Sequence, residues 1–102
     1  MSMTERLLAL IETGNDSAQL RFGLASAYFS EEQFEAAREH AAIAVELDPD
    51  YSAAWRLLGR ACAQIDDADA ARTAFEKGIA VAEKRGDRQL VKEMQVFIRR
   101  LQ

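Results

Sequence analysis

Site chemistry needs a nucleophile, a titratable base or a set of metal ligands, and this 102-residue chain holds few of them. His40 is its one histidine and Cys62 its one cysteine. A zinc site draws on three or four such ligands at close spacing, which this pair on separate segments does not supply. His40 falls one residue before Ala41, on the border of an apolar stripe, and reads as a surface or edge histidine. Cys62 takes a position on such a stripe and reads as a small buried hydrophobe rather than a nucleophile. The carboxylate pairs Glu31-Glu32 and Asp66-Asp67 are expected at helix starts, where the helix dipole favours negative charge. There is no Gly-rich phosphate loop and no Ser placed with a His at a strained turn. Without a sheltered set of polar groups, no enzyme activity, cofactor or metal is expected.

Composition narrows the remaining classes. Apolar residues make up 49% of the chain, which is enough for a core and too much for a disordered tail. Nineteen of them are Ala, so that core should be helical and closely packed. One Pro and five Gly are too few turn residues for a β-sandwich. The net charge of -4 argues against a nucleic-acid partner, which calls for a basic stripe. The charge is uneven: residues 1–50 carry three basic and ten acidic side chains, residues 51–102 ten basic and seven acidic. That reads as solvated helix faces, or as a polarity that orients a partner or a second copy. The lone cysteine excludes an intrachain disulfide. No signal peptide is visible and no apolar run approaches the ~18 residues that span a bilayer, so a cytoplasmic protein without membrane contact is expected.

The elements that position these residues come from a repeat of 34. Under that shift Leu24 falls on Leu58, Ala25 on Gly59, Tyr28 on Cys62, and Ala36-Ala37-Arg38 on Ala70-Ala71-Arg72. Each unit reads as two amphipathic helices. In the first unit, Leu20, Leu24, Ala27 and Tyr28 form one buried stripe and Phe34, Ala37, Ala41, Ala44 and Val45 the other. In the second, Ala54, Leu58, Ala61, Cys62 and Ile65 are followed by Ala71, Ala74, Phe75 and Ile79. Asp16, Ser30, Asp50 and Asp66 or Asp67 are the expected N-caps. Pro49 should stop the second helix at Leu47, and Gly86 the fourth. The small residues Ala25, Gly59, Ala37 and Ala71 let the paired backbones approach closely. Trp55, Tyr28 and Phe75 fill the volume around them. Ser2-x-x-Glu5 opens a further helix ending at Gly14. Asp87 opens a last one carrying Leu90, Val91, Met94, Phe97, Ile98 and Leu101, with Lys92, Glu93, Arg99 and Arg100 facing water.

The run Trp55-x2-Leu58-Gly59-x2-Cys62, then Ala71-x3-Phe75, resembles a tetratricopeptide repeat (W-x2-L-G-x2-Y, A-x3-F, P). The earlier copy is Arg21-x2-Leu24-Ala25-x2-Tyr28, then Ala37-x3-Ala41, closed by Pro49. Arg21, Cys62, Ala41 and Glu83 depart from the pattern. The resemblance covers residues 18–85 and implies an all-α fold, a right-handed α-α superhelix. One domain over 1–102 is expected: an N-terminal helix (2–13), repeat 1 (17–49), repeat 2 (51–85) and a capping helix (87–101).

The resemblance also implies a concave groove that binds a peptide or helix of a partner protein. Carried over residue by residue, its positions are Gln19, Phe22, Ser26 and Phe29, then Ala53, Arg56, Arg60 and Ala63. Helical geometry alone picks out part of this set. Phe22 and Phe29 lie nearly opposite the Leu20–Leu24–Ala27 stripe, either as an aromatic floor for a bound segment or covered by a terminal helix. Arg56 and Arg60 are one turn apart, so both should reach one acidic group of a partner, or else sit solvated beside acidic neighbours. The Lys and Asn clamp by which some of these repeats grip a chaperone's C-terminus is not matched, since Phe22 and Ser26 stand in its places. A non-catalytic, cytoplasmic interaction module is the leading expectation. The alternative is a self-associating structural protein, a homodimer through the broad apolar stripe of the last helix.

Overall fold

Where each helix starts and stops follows from local chemistry. The structure, a computed structural model, describes residues 1–101. It holds α1 (Met3–Glu12), α2 (Ala18–Ser30), α3 (Phe34–Leu47), α4 (Ser52–Gln64), α5 (Ala68–Arg85) and α6 (Arg88–Arg100). No strand occurs among the described residues. Side-chain caps open four of the helices: Ser2, Ser17, Asp67 and Asp87 accept from the backbone N–H of Glu5, Leu20, Ala70 and Leu90. Three expected caps are corrected. Ser17 takes the place given to Asp16, whose carboxylate instead receives Arg21. Ser30 is the last residue of α2, and α3 starts after Gln33 with no side-chain cap. Tyr51, not Asp50, precedes α4, also without a side-chain cap.

The helix ends follow expectation. α3 stops at Leu47, where Asp48 before Pro49 turns extended. Gly14 and Gly86 adopt φ of 91° and 72° after α1 and α5, a region open to glycine. The turn inside each hairpin repeats its backbone as well as its length. Glu32 and Asp66 take φ of 60° and 63°. Beside them, the N–H of Gln33 donates to Tyr28 O and that of Asp67 to Cys62 O. The carboxylate pairs therefore sit largely in these left-handed turns rather than at helix starts. Glu31 even follows the last turn of α2, and only Asp67 caps a helix.

Packing runs along the chain. α2 pairs with α3, α4 with α5, and α3 carries α4 against its other side. α1 rests on α2 and α6 on α5. The thinnest dimension, 18 Å of a 38 × 28 × 18 Å body, leaves room for two layers of helices. The small residues do what their spacing implies: Ala25, Ala37 and Ala71 are wholly buried, and Gly59 meets the face of Phe75 with no room for a Cβ. Leu24, Phe75 and Met94 are the largest fully buried side chains. One core cluster joins Ala25, Ala41 and Leu57 across α2, α3 and α4. Another joins Cys62, Ala71, Phe75, Ala82, Leu90 and Met94 across α4, α5 and α6. The stripe of α6 is thus spent inside the chain: Leu90 and Met94 are buried, and Val91, Phe97, Ile98 and Leu101 pack against the same cluster.

Candidate functional site

α2, α4 and α6 form one side of the body, and the eight expected groove residues lie on the first two of these helices. Gln19 is exposed and Ser26 half-buried. Phe22 and Phe29 are both half-buried and pack in part against residues of α3 and α4. α2 is apolar on most of its circumference because it has neighbours on several sides, α1, α3 and α4. Phe22 packs beside Tyr51, ring centroids 5.0 Å apart, and against Ala44, Val45 and Ala54. Phe29 meets the edge of Phe34 at 5.0 Å and the cluster of Ala25, Ala41 and Leu57. Each ring is half-buried, so part of it still faces solvent.

The two arginines do not converge on one point. Arg56 donates to Glu93 of α6, 2.6 Å from nitrogen to oxygen. Arg60 lies on aromatic faces, its guanidinium carbon 4.7 Å from the Phe29 ring centre and 5.5 Å from that of Phe97. Ala53 lies beside Arg56 in a depression that α6 walls with Gln89, Leu90 and Glu93. Ala63 lies beside Arg60 in a hollow of about 280 Å³ that also contains Phe97 and Arg100.

α6 therefore completes this face, and sequence reasoning missed its contribution of Glu93, Phe97 and Arg100. The 34-residue shift did not lead there. α5 has 18 residues where α3 has 14, so α6 arrives late in the register. Arg56 and Glu93 are 37 positions apart, and Arg60 and Phe97 share that interval. The signal was present in the late position of Gly86.

The opposite side carries a hollow of about 590 Å³, floored by Trp55, Leu58 and Cys62 and lipped by Arg38, Asp69 and Thr73. Burial pushes the Cys62 thiol up, Asp67 adds to this and Arg38 opposes it, which favours the thiol over the thiolate. His40 is half-buried at an edge, stacked on Tyr28 with ring centroids 5.6 Å apart. Its Nδ1 lies 2.9 Å from the guanidinium of Arg21, which also grips Asp16 through two bonds of 2.9 Å. Burial first, then the charge of Arg21, pull the His40 pKa down. No group of three or more His, Cys, Asp or Glu could hold a metal ion among the described residues. Among the same residues every buried side-chain N or O has a hydrogen-bond partner, and no helix is long and apolar enough to cross a membrane. The α2–α4–α6 face carries aromatic edges, small side chains and cations.

Comparison with known proteins gives a consistent picture. The tetratricopeptide repeat family model matches residues 5–51 and 22–87. A TPR repeat-containing protein of Pseudomonas aeruginosa is 46% identical over 99 residues, 97% of this chain and 94% of that one. A heat-shock protein cognate co-chaperone of Aspergillus fumigatus is 46% identical over 55 residues, 54% of this chain but only 16% of its own length. Among solved structures, a Bordetella parapertussis protein superposes with a TM-score of 0.83 at 48% identity, covering 99% of this chain and 88% of that one. A tetratricopeptide repeat domain protein from Salinibacter ruber does so with a TM-score of 0.76 at 25% identity, covering 85% and 88%.

Proposed function

The chain belongs to the tetratricopeptide repeat family, whose members generally mediate protein–protein contacts without catalysis, and we propose that it binds a segment of a partner protein along the α2–α4–α6 face. The observation that carries this reading is the make-up of that face. Gln19, Ser26 and the half-buried ring of Phe29 on α2 and Ala53, Arg60 and Ala63 on α4 share it with Phe97 of α6, whose ring Arg60 meets. Small residues leave room for a backbone there, and aromatic edges and a guanidinium offer contacts of both polarities. The partner segment is extended or helical, laid across the three helices. The co-chaperone relative supports a protein partner as the ligand class. We place the module in the cytoplasm, where a single free thiol remains reduced. The α6 stripe that motivates the homodimer alternative packs largely within the chain, which favours the groove reading over it.

Affinity capture with two variants tests the reading. Ser26→Arg puts a long cation in the middle of the wall, and Thr73→Arg puts one beside the opposite hollow. Both residues are outside the buried core, so the variants should keep the wild-type helical circular dichroism. Proteins retained by wild type and Thr73→Arg but lost with Ser26→Arg are the expected result. Loss with Thr73→Arg alone would move binding to the other side.

A further inference from the structure

We infer that the mouth between α4 and α6 takes an acidic side chain of the bound segment, gripped by Arg60 and Arg100, with an apolar neighbour of that acid seated beside them. This deepens the groove reading above and rests on it. Two arginines, Arg21 and Arg56, are already engaged by carboxylates. Arg21 is bonded twice to Asp16, and Arg56 donates to Glu93. Both charges are answered within the chain. Arg60 is exposed and has no carboxylate or other hydrogen-bond acceptor among the described residues.

Arg60 is nevertheless held. Rings from the two helices that flank α4, Phe29 on α2 and Phe97 on α6, both lie within 6 Å of its guanidinium carbon. Ring faces attract the flat face of a guanidinium, while its N–H groups point outward in the plane. The side chain therefore loses part of its rotamer freedom before any ligand arrives, and its in-plane fork stays free. A fork of that kind fits a carboxylate through two parallel bonds. Prior restraint lowers the ordering cost of making them.

The surroundings select the sign and the neighbour. Among the described residues the hollow beside Arg60 is lined by Arg100 and by no acidic side chain, so two cations face it. Arg100 has no ion-pair partner among the described residues. The rest of the lining is mainly Ala63, Phe75, Phe97 and Leu101. Its volume of about 280 Å³ admits one aliphatic side chain and excludes a second helix. The complementary ligand is an acid flanked by a leucine-like residue on a partner chain.

Titration of the isotope-labelled full chain by NMR tests this with blocked peptides as probes. One carries leucine–glutamate–leucine, a second leucine–glutamine–leucine, and a third phosphoserine in place of the glutamate. The glutamate peptide should shift the Arg60 Nε–H signal and the amides of Ala63 and Phe97, and bind at least tenfold tighter than the glutamine peptide. Arg60→Gln should abolish that preference and Arg38→Gln, on the opposite side, should retain it. Equal binding of glutamate and glutamine peptides with shifts still on α2, α4 and α6 overturns the acid anchor and leaves the groove reading standing. Shifts confined to α3 and α5, or none at millimolar peptide, overturn both. Tighter binding of the phosphoserine peptide overturns the choice of a carboxylate.

Discussion

At the scale of single residues, two helical glycines look alike in the sequence and have opposite roles. A Cβ on Gly59 would lie 2.5–2.7 Å from three ring carbons of Phe75, one of the most deeply buried side chains. A Cβ on Gly23 would meet only Leu7 Cδ1 at 3.6 Å, an ordinary contact. Alanine gains about 1 kcal/mol over glycine within a helix. Overpacking a filled core costs about 1–3 kcal/mol. Gly59→Ala should therefore lower stability by up to about 2 kcal/mol, and Gly23→Ala should raise it by up to about 1 kcal/mol; paired urea unfolding curves measure both signs. That Gly59 is a close-packing position could be read from the repeat, because it aligns with the small Ala25, and position 75 holds Phe where the earlier copy holds Ala41. Gly23 could not, because its freedom depends on how α1 lies over α2. His40 supplies a second prediction. Its Nδ1 receives Arg21 when the ring is neutral, and its pKa lies below the ordinary histidine value in the folded chain because of burial and then the Arg21 charge. The unfolded chain thus binds the proton more tightly. The stabilisation is complete above about pH 6.5 and is lost as pH falls from there through the lower folded pKa. Asp16, whose pKa is also depressed, loses its contribution only in a more acid window. The urea midpoint of wild type should fall between pH 7.5 and pH 5.5 more steeply than that of His40→Gln; parallel lines would remove His40 as the cause.

At the scale of elements, all six helices and the repeat could be read from periodicity, and their junctions only in part. Apolar spacing survives imperfect caps, so α2 to α5 stood out from the 34-residue shift. The junctions are decided by competition between neighbours of similar chemistry. Ser17 wins the cap over Asp16 because Arg21 holds the Asp16 carboxylate. Glu32 and Asp66 serve as αL turn residues, a role the sequence gives no Gly to announce. The surroundings of Phe22 and Phe29 were not legible for a related reason: a helix with packed neighbours on several sides has no single apolar stripe. The distinction between a real cap and a nominal one is measurable. Asp67 accepts from Ala70 N–H at 3.1 Å, so Asp67→Ala should cost about 1 kcal/mol. Asp50 is exposed and caps nothing, so Asp50→Ala should change stability by less than about 0.5 kcal/mol. Equal losses from the two substitutions in thermal unfolding would contradict the assignment of caps.

At the scale of the molecule, the two ends of the stack are closed unequally. Stability in a repeat array is roughly a sum of unit and interface terms, so each end helix protects only what it covers. α6 covers much: Leu90 and Met94 are buried with Phe75 and Ala82, and Phe97 lies 5.4 Å from the Phe75 ring centre. Each such side chain contributes about 1.5–3 kcal/mol by burial. Together they rival the 5–15 kcal/mol by which a small domain is stable, taken at about 0.1 kcal/mol per residue. α1 covers less, resting mainly on α2 and leaving Met3 and Leu10 exposed. Its link to the rest includes one hydrogen bond of 3.3 Å from the Thr4 hydroxyl to Glu31 in the first hairpin turn. Two truncations should therefore diverge. A chain ending at Gly86 should lose cooperative unfolding and bind hydrophobic dyes, because Phe75 and Met94's other neighbours become open. A chain beginning at Asn15 should keep a cooperative transition at a lower midpoint. Hydrogen exchange in the intact chain orders the same events without truncation: amides of α1 should exchange first, and those of α4 and α5 last. Early exchange of α5 would mean that α6 does not hold the stack closed, and the wall on which Arg60 and Phe97 meet would then lack its support.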